Sequence, residues 1–283
     1  MSDRESLHDR IQVGDLVLMA VFPLVTGTVY ALPTGTREAL VFEYDEPTIE
    51  TAFTSAFVHL DAAHLSQNLL LYALVIGSVY VLCLTARNRR QFRVFVGTVL
   101  IAFPFVLSYI NLAIARSSVS FGASGLVMAL AGYLPLALAV HLEANFGVGP
   151  VRTFAPLTFI PTLGLVSVLS LRSVLRTNAT ARWVVIGLVA ATLLATLWYG
   201  LSAYERSKAA GWDVRNALAT PGGPELVGAA SLVLLAILFV AFPADPTVGA
   251  GVVNLYEHFL GYSLGFIVSF TTAEITAQID GIE

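Results

Sequence analysis

The sequence predicts an all-α integral membrane protein, a polytopic bundle of helices that crosses the bilayer about eight times. Of its 283 residues, 57% are hydrophobic and only 12% are charged, and the mean hydropathy is +0.79. Soluble domains carry about 25% charged residues, so this composition excludes an ordinary soluble domain. The apolar stretches are continuous rather than alternating in polarity, which argues against a transmembrane β-barrel.

Charge-free runs mark the predicted spans, because about 20 apolar residues cross the hydrocarbon core of a bilayer. Seven runs contain no charge, and an eighth is interrupted only by Glu257 and His258. The runs are residues 16–36, 62–86, 94–115, 117–142, 153–171, 183–204, 226–244 and about 252–273. They account for most of the chain, so we expect a single polytopic membrane domain over residues 1–283.

The sequence gives no indication of a signal peptide, a disulfide, a metal cluster or nucleic-acid binding. The first run follows MSDRESLHDRIQVGD and lacks a short apolar core with a small-residue cleavage site, so we expect a retained helix rather than a signal peptide. The single cysteine, Cys83, excludes an intramolecular disulfide and gives no indication of a metal cluster. No basic tract suggests nucleic acid, and the sequence does not indicate an oligomeric state.

Arginine-rich short loops predict the orientation, because such loops stay in the cytoplasm. The loop after the second run, the N-terminus and the loop after the sixth run are basic and would share one side of the membrane; they contain Arg87, Arg89, Arg90, Arg93, Arg4, Arg10, Arg206, Lys208 and Arg215. We therefore expect both termini in the cytoplasm, in the cell membrane of a prokaryote. Between the fifth and sixth runs the indications conflict: three arginines oppose this orientation, and the sequon Asn178-Ala179-Thr180 favours it.

Polar residues interrupt three of the predicted spans near the same end. The second run carries His64 and Asn68, the fourth carries Ser124, and the eighth carries His258. All three runs go from outside to inside, which places these residues roughly 5–15 Å below the start of each helix. Polar side chains within a span are costly and usually face an interior or a water-filled cavity. We therefore expect them to converge in the outer leaflet.

The pair in the second run has the spacing of two cooperating hydrogen-bond donors. His64 and Asn68 lie four residues apart, so they share one helix face and are separated by one turn. Both side chains can donate to a single point, as the oxyanion of an acyl-transfer intermediate requires. The alternative is a structural bond between helices.

The last run brings a histidine to a face suited to close packing. His258, Gly261 and Gly265 share one face, and the two glycines allow another backbone to approach. If Ser124 lies opposite His258, a neutral imidazole can take the serine proton and make the hydroxyl a nucleophile. The alternative for Ser124 is a hydroxyl that bonds back to its own closely packed helix.

Taken in chain order, three motifs resemble the rhomboid family of intramembrane serine proteases. They are His59-x4-His64-x3-Asn68, Gly122-Ala123-Ser124-Gly125 and His258-x2-Gly261-x3-Gly265. The resemblance covers roughly residues 50–145 and 245–270. It implies a rhomboid-like core of six helices, within about residues 12–145 and 245–274, and two extra helices inserted within about residues 150–244.

The resemblance also implies roles for the individual residues. Ser124 is implied to be the nucleophile and His258 its general base, while His64, Asn68 and the backbone N–H of Ser124 are implied to form the oxyanion hole. Structural support is implied for His59, Gly122, Gly125, Gly261 and Gly265. The implied substrates are transmembrane segments of membrane-anchored proteins, cut near the outer membrane face without a cofactor.

The sequence departs from the common rhomboid pattern in four places. Three predicted helices, rather than one, separate the serine and histidine helices; the number stays odd, so the direction of the last helix is kept. Glu50-Thr51 stands where Trp-Arg is frequent, and Met128 stands where an aromatic ring often packs on the histidine. Glu257 replaces a small residue but points about 100° away from His258 around the helix, so it is not assigned to the dyad.

Two alternatives to a protease stay open. One is a catalytically silent protein of the same fold that binds transmembrane helices. It is disfavoured because both Ser124 and His258 are present. The other is a small transporter in which His64 and His258 carry protons, but the two halves of the chain show no internal repeat, and a transporter gives Ser124 no role.

Overall fold

The computed structural model is a bundle of long helices with short strands in its loops, and it describes residues 10–114, 118–174, 179–210, 222–248 and 251–280. In chain order the helices are α1 (Val13–Tyr30), α2 (Thr34–Glu38), α3 (Ile49–Thr54), α4 (Ala62–Thr85), α5 (Arg89–Ile101), α6 (Phe103–Asn111), α7 (Ser124–Phe146), α8 (Val151–Val174), α9 (Ala179–Ala210), α10 (Gly223–Ala241) and α11 (Leu255–Asp280). The polytopic helical bundle predicted from the sequence is confirmed.

The long helices indicate a membrane protein. Helices α1, α4, α7, α8, α9, α10 and α11 are each long and apolar enough to cross a bilayer, and α5 with α6 forms one further candidate span bent by 45°. The bend follows from Pro104, which has no N–H to donate to the carbonyl four residues earlier. Each of the eight predicted runs overlaps one of these spans.

One predicted boundary is wrong. The fourth run was expected to be helical from residue 117, but α7 begins only at Ser124. Before it, Val119–Ser120 form strand β2, and Gly122 has a φ of +109°. A helix cannot pass through that backbone conformation, so Ser124 lies at the start of its helix rather than one or more turns below it.

Helix α7 is the centre of the bundle. Within its candidate span, 89% of the residues are buried, whereas no other span exceeds 50%. Helices α4, α8, α10 and α11 all pack against it. In a bilayer an apolar helix can face either protein or lipid, so the burial of α7 reflects its central position rather than its composition; the span in α9 is as apolar but only 6% buried.

The two helices that follow α7 form a hairpin at the edge of the bundle. Helix α8 packs against α7 and α11, and the ring of Phe159 on α8 stacks on Phe266 of α11 at a centroid distance of 3.9 Å. Helix α9 packs mainly against α8. Helix α10 then returns to the centre, where it contacts both α4 and α7.

The loop between α1 and α4 holds the segment that leads into α7. Strand β1 (Phe42–Glu43) pairs antiparallel with β2 (Val119–Ser120). A 3₁₀-helix follows α3, and its Ser55 carbonyl accepts a hydrogen bond from the N–H of Gly122 at 2.9 Å. Strands β3 (Thr247–Val248) and β4 (Gly251–Val252) form a second small hairpin between α10 and α11.

Candidate active site

Ser124 occupies the first position of α7 and is half-buried. The first backbone bond of the helix runs from the N–H of Val127 to the carbonyl of Ala123, at 3.0 Å. The N–H groups of the three residues before Val127, which include Ser124, therefore have no partner within the helix. Unpaired N–H groups at a helix start are suited to receive a developing negative charge.

Helix α11 lies parallel to α7 and almost in backbone contact with it. A Cβ atom added to Gly261 would lie 2.3 Å from the Gly125 carbonyl, and one added to Gly265 would lie 2.1 Å from the Ala129 carbonyl. The two contacts have the same register one turn apart, which fixes the parallel direction. His258 lies one turn before Gly261, so it stands at the level of the start of α7, near Ser124.

His258 is buried, and its ring is held by the end of α10. Its Nδ1 atom donates to the carbonyl of Ala241, the last residue of α10, at 2.8 Å. The ring of Phe242 packs edge-on against the imidazole, with 6.1 Å between centroids. Within the described residues, Ser124 and His258 form no hydrogen bond with each other. Catalytic pairs often close to bonding distance only when a substrate is bound.

His64 lies in the first turn of α4 and faces the segment before Ser124. The carboxylate of Asp61 caps the helix by accepting from the backbone N–H of His64 at 2.8 Å. A Cβ atom added to Gly122 would lie 2.6 Å from the Cε1 atom of the His64 ring. Three of the predicted site residues are thus gathered at one end of the bundle.

Asn68 is buried one turn further along α4 and is bonded to His59. Its amide Nδ2 donates to His59 Nε2 at 2.8 Å, and the rings of His59 and His64 meet edge to face with 4.8 Å between centroids. The Asn68 amide has a second N–H, which this bond does not use. Asn68 can therefore bond His59 and still offer one donor toward the site.

His59 lies in the loop between α1 and α4, and Arg37 from an earlier part of that loop anchors it. The buried guanidinium of Arg37 donates through Nη1 to the His59 carbonyl at 2.6 Å and lies over the ring of Tyr30. Burial, helped by the nearby His64, lowers the pKa of His59 to about 4. His59 is therefore neutral at pH 7. The sequence did not point to Arg37, whose only signal is that it is the one arginine or lysine of an otherwise acidic loop, residues 31–61.

Glu257 belongs to a polar network beside the site, away from the imidazole. Its carboxylate accepts from the side chains of Asn254 at 2.9 Å, Ser120 at 3.1 Å and Asn111 at 3.3 Å. A Cβ atom added to Gly125 would lie 2.7 Å from Glu257 Oε1. The network joins α11 to α6 and β2, and it borders a cleft whose lining includes Ser55, Ser108, Phe121 and Gly122.

The remaining predictions concern the ring next to the histidine and metal binding. Met128 is buried and approaches Gly261, whereas the aromatic ring against His258 is Phe242 from α10. In the described part of the chain, no group of three or more His, Cys, Asp or Glu side chains is placed to hold a metal ion.

No protein-family model, curated protein or solved structure matches the chain. The geometry of this site is therefore the basis for assigning a function.

Proposed function

We propose that the protein is an intramembrane serine endopeptidase of the rhomboid type that cleaves transmembrane segments of membrane-anchored proteins. The observation that carries the proposal is the parallel, glycine-mediated packing of α7 and α11. It brings a half-buried serine and a buried histidine to the same level at one end of the bundle. Close packing of the two helices alone would not require Ser124 and His258 at that level.

In the proposed reaction, Ser124 Oγ attacks the carbonyl carbon of the scissile peptide while His258 Nε2 takes the hydroxyl proton. The carbonyl oxygen becomes an oxyanion, which the N–H of Ser124 and the side chains of His64 and Asn68 stabilise. The intermediate then collapses, the C–N bond breaks, and His258 returns the proton to the departing amine. Water attacks the resulting ester by the same route and frees Ser124.

The arrangement of the helices supports the same proposal. Helices α1, α4, α5–α6, α7, α10 and α11 would form the six-helix core, with the serine helix α7 enclosed by the others. The α8–α9 hairpin would be the insertion, which matches its place at the edge of the bundle. Because the hairpin contributes two spans, the direction of α11 relative to α7 is unaffected.

A catalytically silent helix-binding protein is the second candidate. It is favoured by one observation, that Ser124 and His258 form no hydrogen bond within the described residues. In that case the close contact of α7 with α11 at Gly261 and Gly265 would serve helix packing alone. Chemical reactivity of the serine separates the two candidates.

The deciding experiment is labelling of the purified protein in detergent with a fluorophosphonate probe, which reacts with activated serines. We expect labelling of the wild type and its loss in Ser124→Ala and in His258→Ala. Ser78→Ala is the matched control, since that partly exposed hydroxyl only donates to its own helix at Leu74. Unlabelled but folded wild type, or full labelling of His258→Ala, would contradict the proposed dyad and favour the silent protein.

Cleavage of a tethered transmembrane segment follows as the functional readout. The wild type should release a product whose new terminus maps near the end of the segment that faces Ser124. We expect Ser124→Ala to remain folded and inactive, because the substitution removes only the hydroxyl oxygen. A Ser124→Ala variant with full cleavage activity would exclude Ser124 as the nucleophile.

A further inference from the structure

The C-terminal end of α10 makes direct contact with the candidate base. His258 Nδ1 donates to the carbonyl of Ala241 at 2.8 Å, although α10 and α11 are separated by a loop that contains a β-hairpin. The next residue, Phe242, is buried and packs its ring edge-on against the same imidazole. Both contacts come from the last turn of one helix and its cap.

The local sequence leaves this carbonyl available. The last carbonyl groups of a helix have no N–H four residues ahead to bond with. Helix α10 ends at Ala241, and Phe242 leaves the helical conformation with φ −120° and ψ 66°. Pro243 follows directly, and a proline disfavours the helical conformation in the residue before it. The proline thus fixes where the helix ends and which carbonyl faces the histidine.

The bond selects one form of the imidazole ring. A carbonyl oxygen can only accept, so Nδ1 carries the proton, and in the neutral ring Nε2 is left with a lone pair. That is the form a general base requires. Helix carbonyls also place partial negative charge at a C-terminus, which favours the imidazolium formed when the base takes a proton.

We propose that the C-terminus of α10, through the Ala241 carbonyl, is the positioning group that orients His258, in the place that a carboxylate occupies in a Ser-His-Asp triad. The inference rests on the proposed function, in which His258 is the base. It also accounts for the contacts of α10, which packs on α4 and α7. The acceptor is thereby fixed relative to the helices that carry His64 and Ser124.

The first test is the tautomer of His258 in the wild type. Nitrogen-15 NMR of protein labelled in its histidine rings separates a protonated Nδ1 from a protonated Nε2, and His258→Gln identifies the His258 signals by their loss. We expect a neutral ring with the proton on Nδ1. A proton on Nε2 would overturn the proposal without any change to Ala241 or Phe242.

The second test moves the carbonyl. Phe242→Pro forces Ala241 out of the helical conformation and turns its carbonyl away from His258, whereas Phe242→Ala removes the same ring but leaves the backbone free to keep its course. We expect fluorophosphonate labelling to slow by about 100-fold or more in Phe242→Pro relative to Phe242→Ala, since a triad histidine in the wrong tautomer loses about 10⁴ in rate. The His258 signals should lose their Nδ1 protonation only in the proline variant.

Equal labelling rates in the two variants, with unchanged His258 signals in both, would contradict the role of the Ala241 carbonyl. This result is distinct from failure of the proposed function, which would appear as unlabelled wild type. If Phe242→Pro does not fold, the tautomer measured in the wild type decides the question alone.

Discussion

At the scale of single residues, His59 connects the first loop to Asn68 and His64 on α4. Its backbone carbonyl binds Arg37, its Nε2 accepts from Asn68, and its ring meets that of His64. Each contact uses a different part of the residue. A neutral ring is needed for the Asn68 bond, because a protonated imidazole has no acceptor nitrogen.

This neutral ring predicts a pH-dependent stability. Burial lowers the pKa of His59 to about 4, whereas in the unfolded chain the pKa is about 6.5. Below pH 6.5 the unfolded chain binds a proton that the folded chain does not, so stability falls as the pH drops from 6.5 toward 4, by up to about 1.4 kcal/mol per pH unit. We expect the thermal midpoint of the wild type in detergent to fall more steeply between pH 7 and pH 5 than that of His59→Gln. Equal slopes would contradict the assignment.

Gly122 has two separate reasons to be glycine. Its φ of +109° lies in a region that residues with a Cβ rarely adopt, and an added Cβ would lie 2.6 Å from the His64 ring. We expect Gly122→Ala to lower the free energy of unfolding by about 1–3 kcal/mol and to abolish fluorophosphonate labelling. Thermal unfolding and probe labelling measure the two effects.

The matched control for this variant is Gly77→Ala on α4. An added Cβ there meets no atom within 4 Å, and alanine favours a helix over glycine by up to about 1 kcal/mol. Gly77→Ala should therefore keep its labelling and unfold at the same or a higher temperature. If Gly122→Ala behaved in the same way, the backbone at Gly122 would not position the site.

At the scale of helices, the α7–α11 contact is made by backbone atoms, which cannot move aside as a flexible side chain can. In Gly261→Ala the new Cβ would lie 2.3 Å from the carbonyl of Gly125, so the helices must separate. We expect a loss of about 1–3 kcal/mol, as for other overpacked interiors, together with much slower labelling as His258 moves away from Ser124. Gly27→Ala on α1, where an added Cβ meets nothing, is the control. Normal labelling of Gly261→Ala would show that this packing does not set the dyad geometry.

Spacing along the sequence was sufficient for the spans and for the glycine face of α11, because a helix has a fixed period. It was insufficient wherever the backbone leaves that period. The start of α7 depends on a strand that pairs with a distant loop, and the orientation of His258 depends on the carbonyl of Ala241, an acceptor that every residue possesses. The Asn68–His59 bond joins a helix to a loop, so no periodic pattern could reveal it.

At the scale of the whole molecule, the charges of the two ends differ. Arg87 in the turn after α4 and Arg90 at the start of α5 are exposed at one end, while Asp61 and Asp245 are exposed at the end that holds Ser124. Arginines in short loops are retained in the cytoplasm, and acidic residues have little effect on orientation. An even number of spans returns the chain to its starting side, so the candidate site should face outward while both termini face inward.

This orientation is tested with single cysteines in a background where the buried Cys83 is replaced by alanine. We expect Asp61→Cys to react with a membrane-impermeant maleimide on intact cells, and Arg90→Cys to react only after the membrane is opened. Both residues are exposed, so a difference between them reports sidedness rather than burial. The reverse pattern would place Ser124 at the cytoplasmic face, and the proposed protease would then cut its substrates on that side. Reaction of both cysteines on intact cells would contradict a single orientation of the bundle.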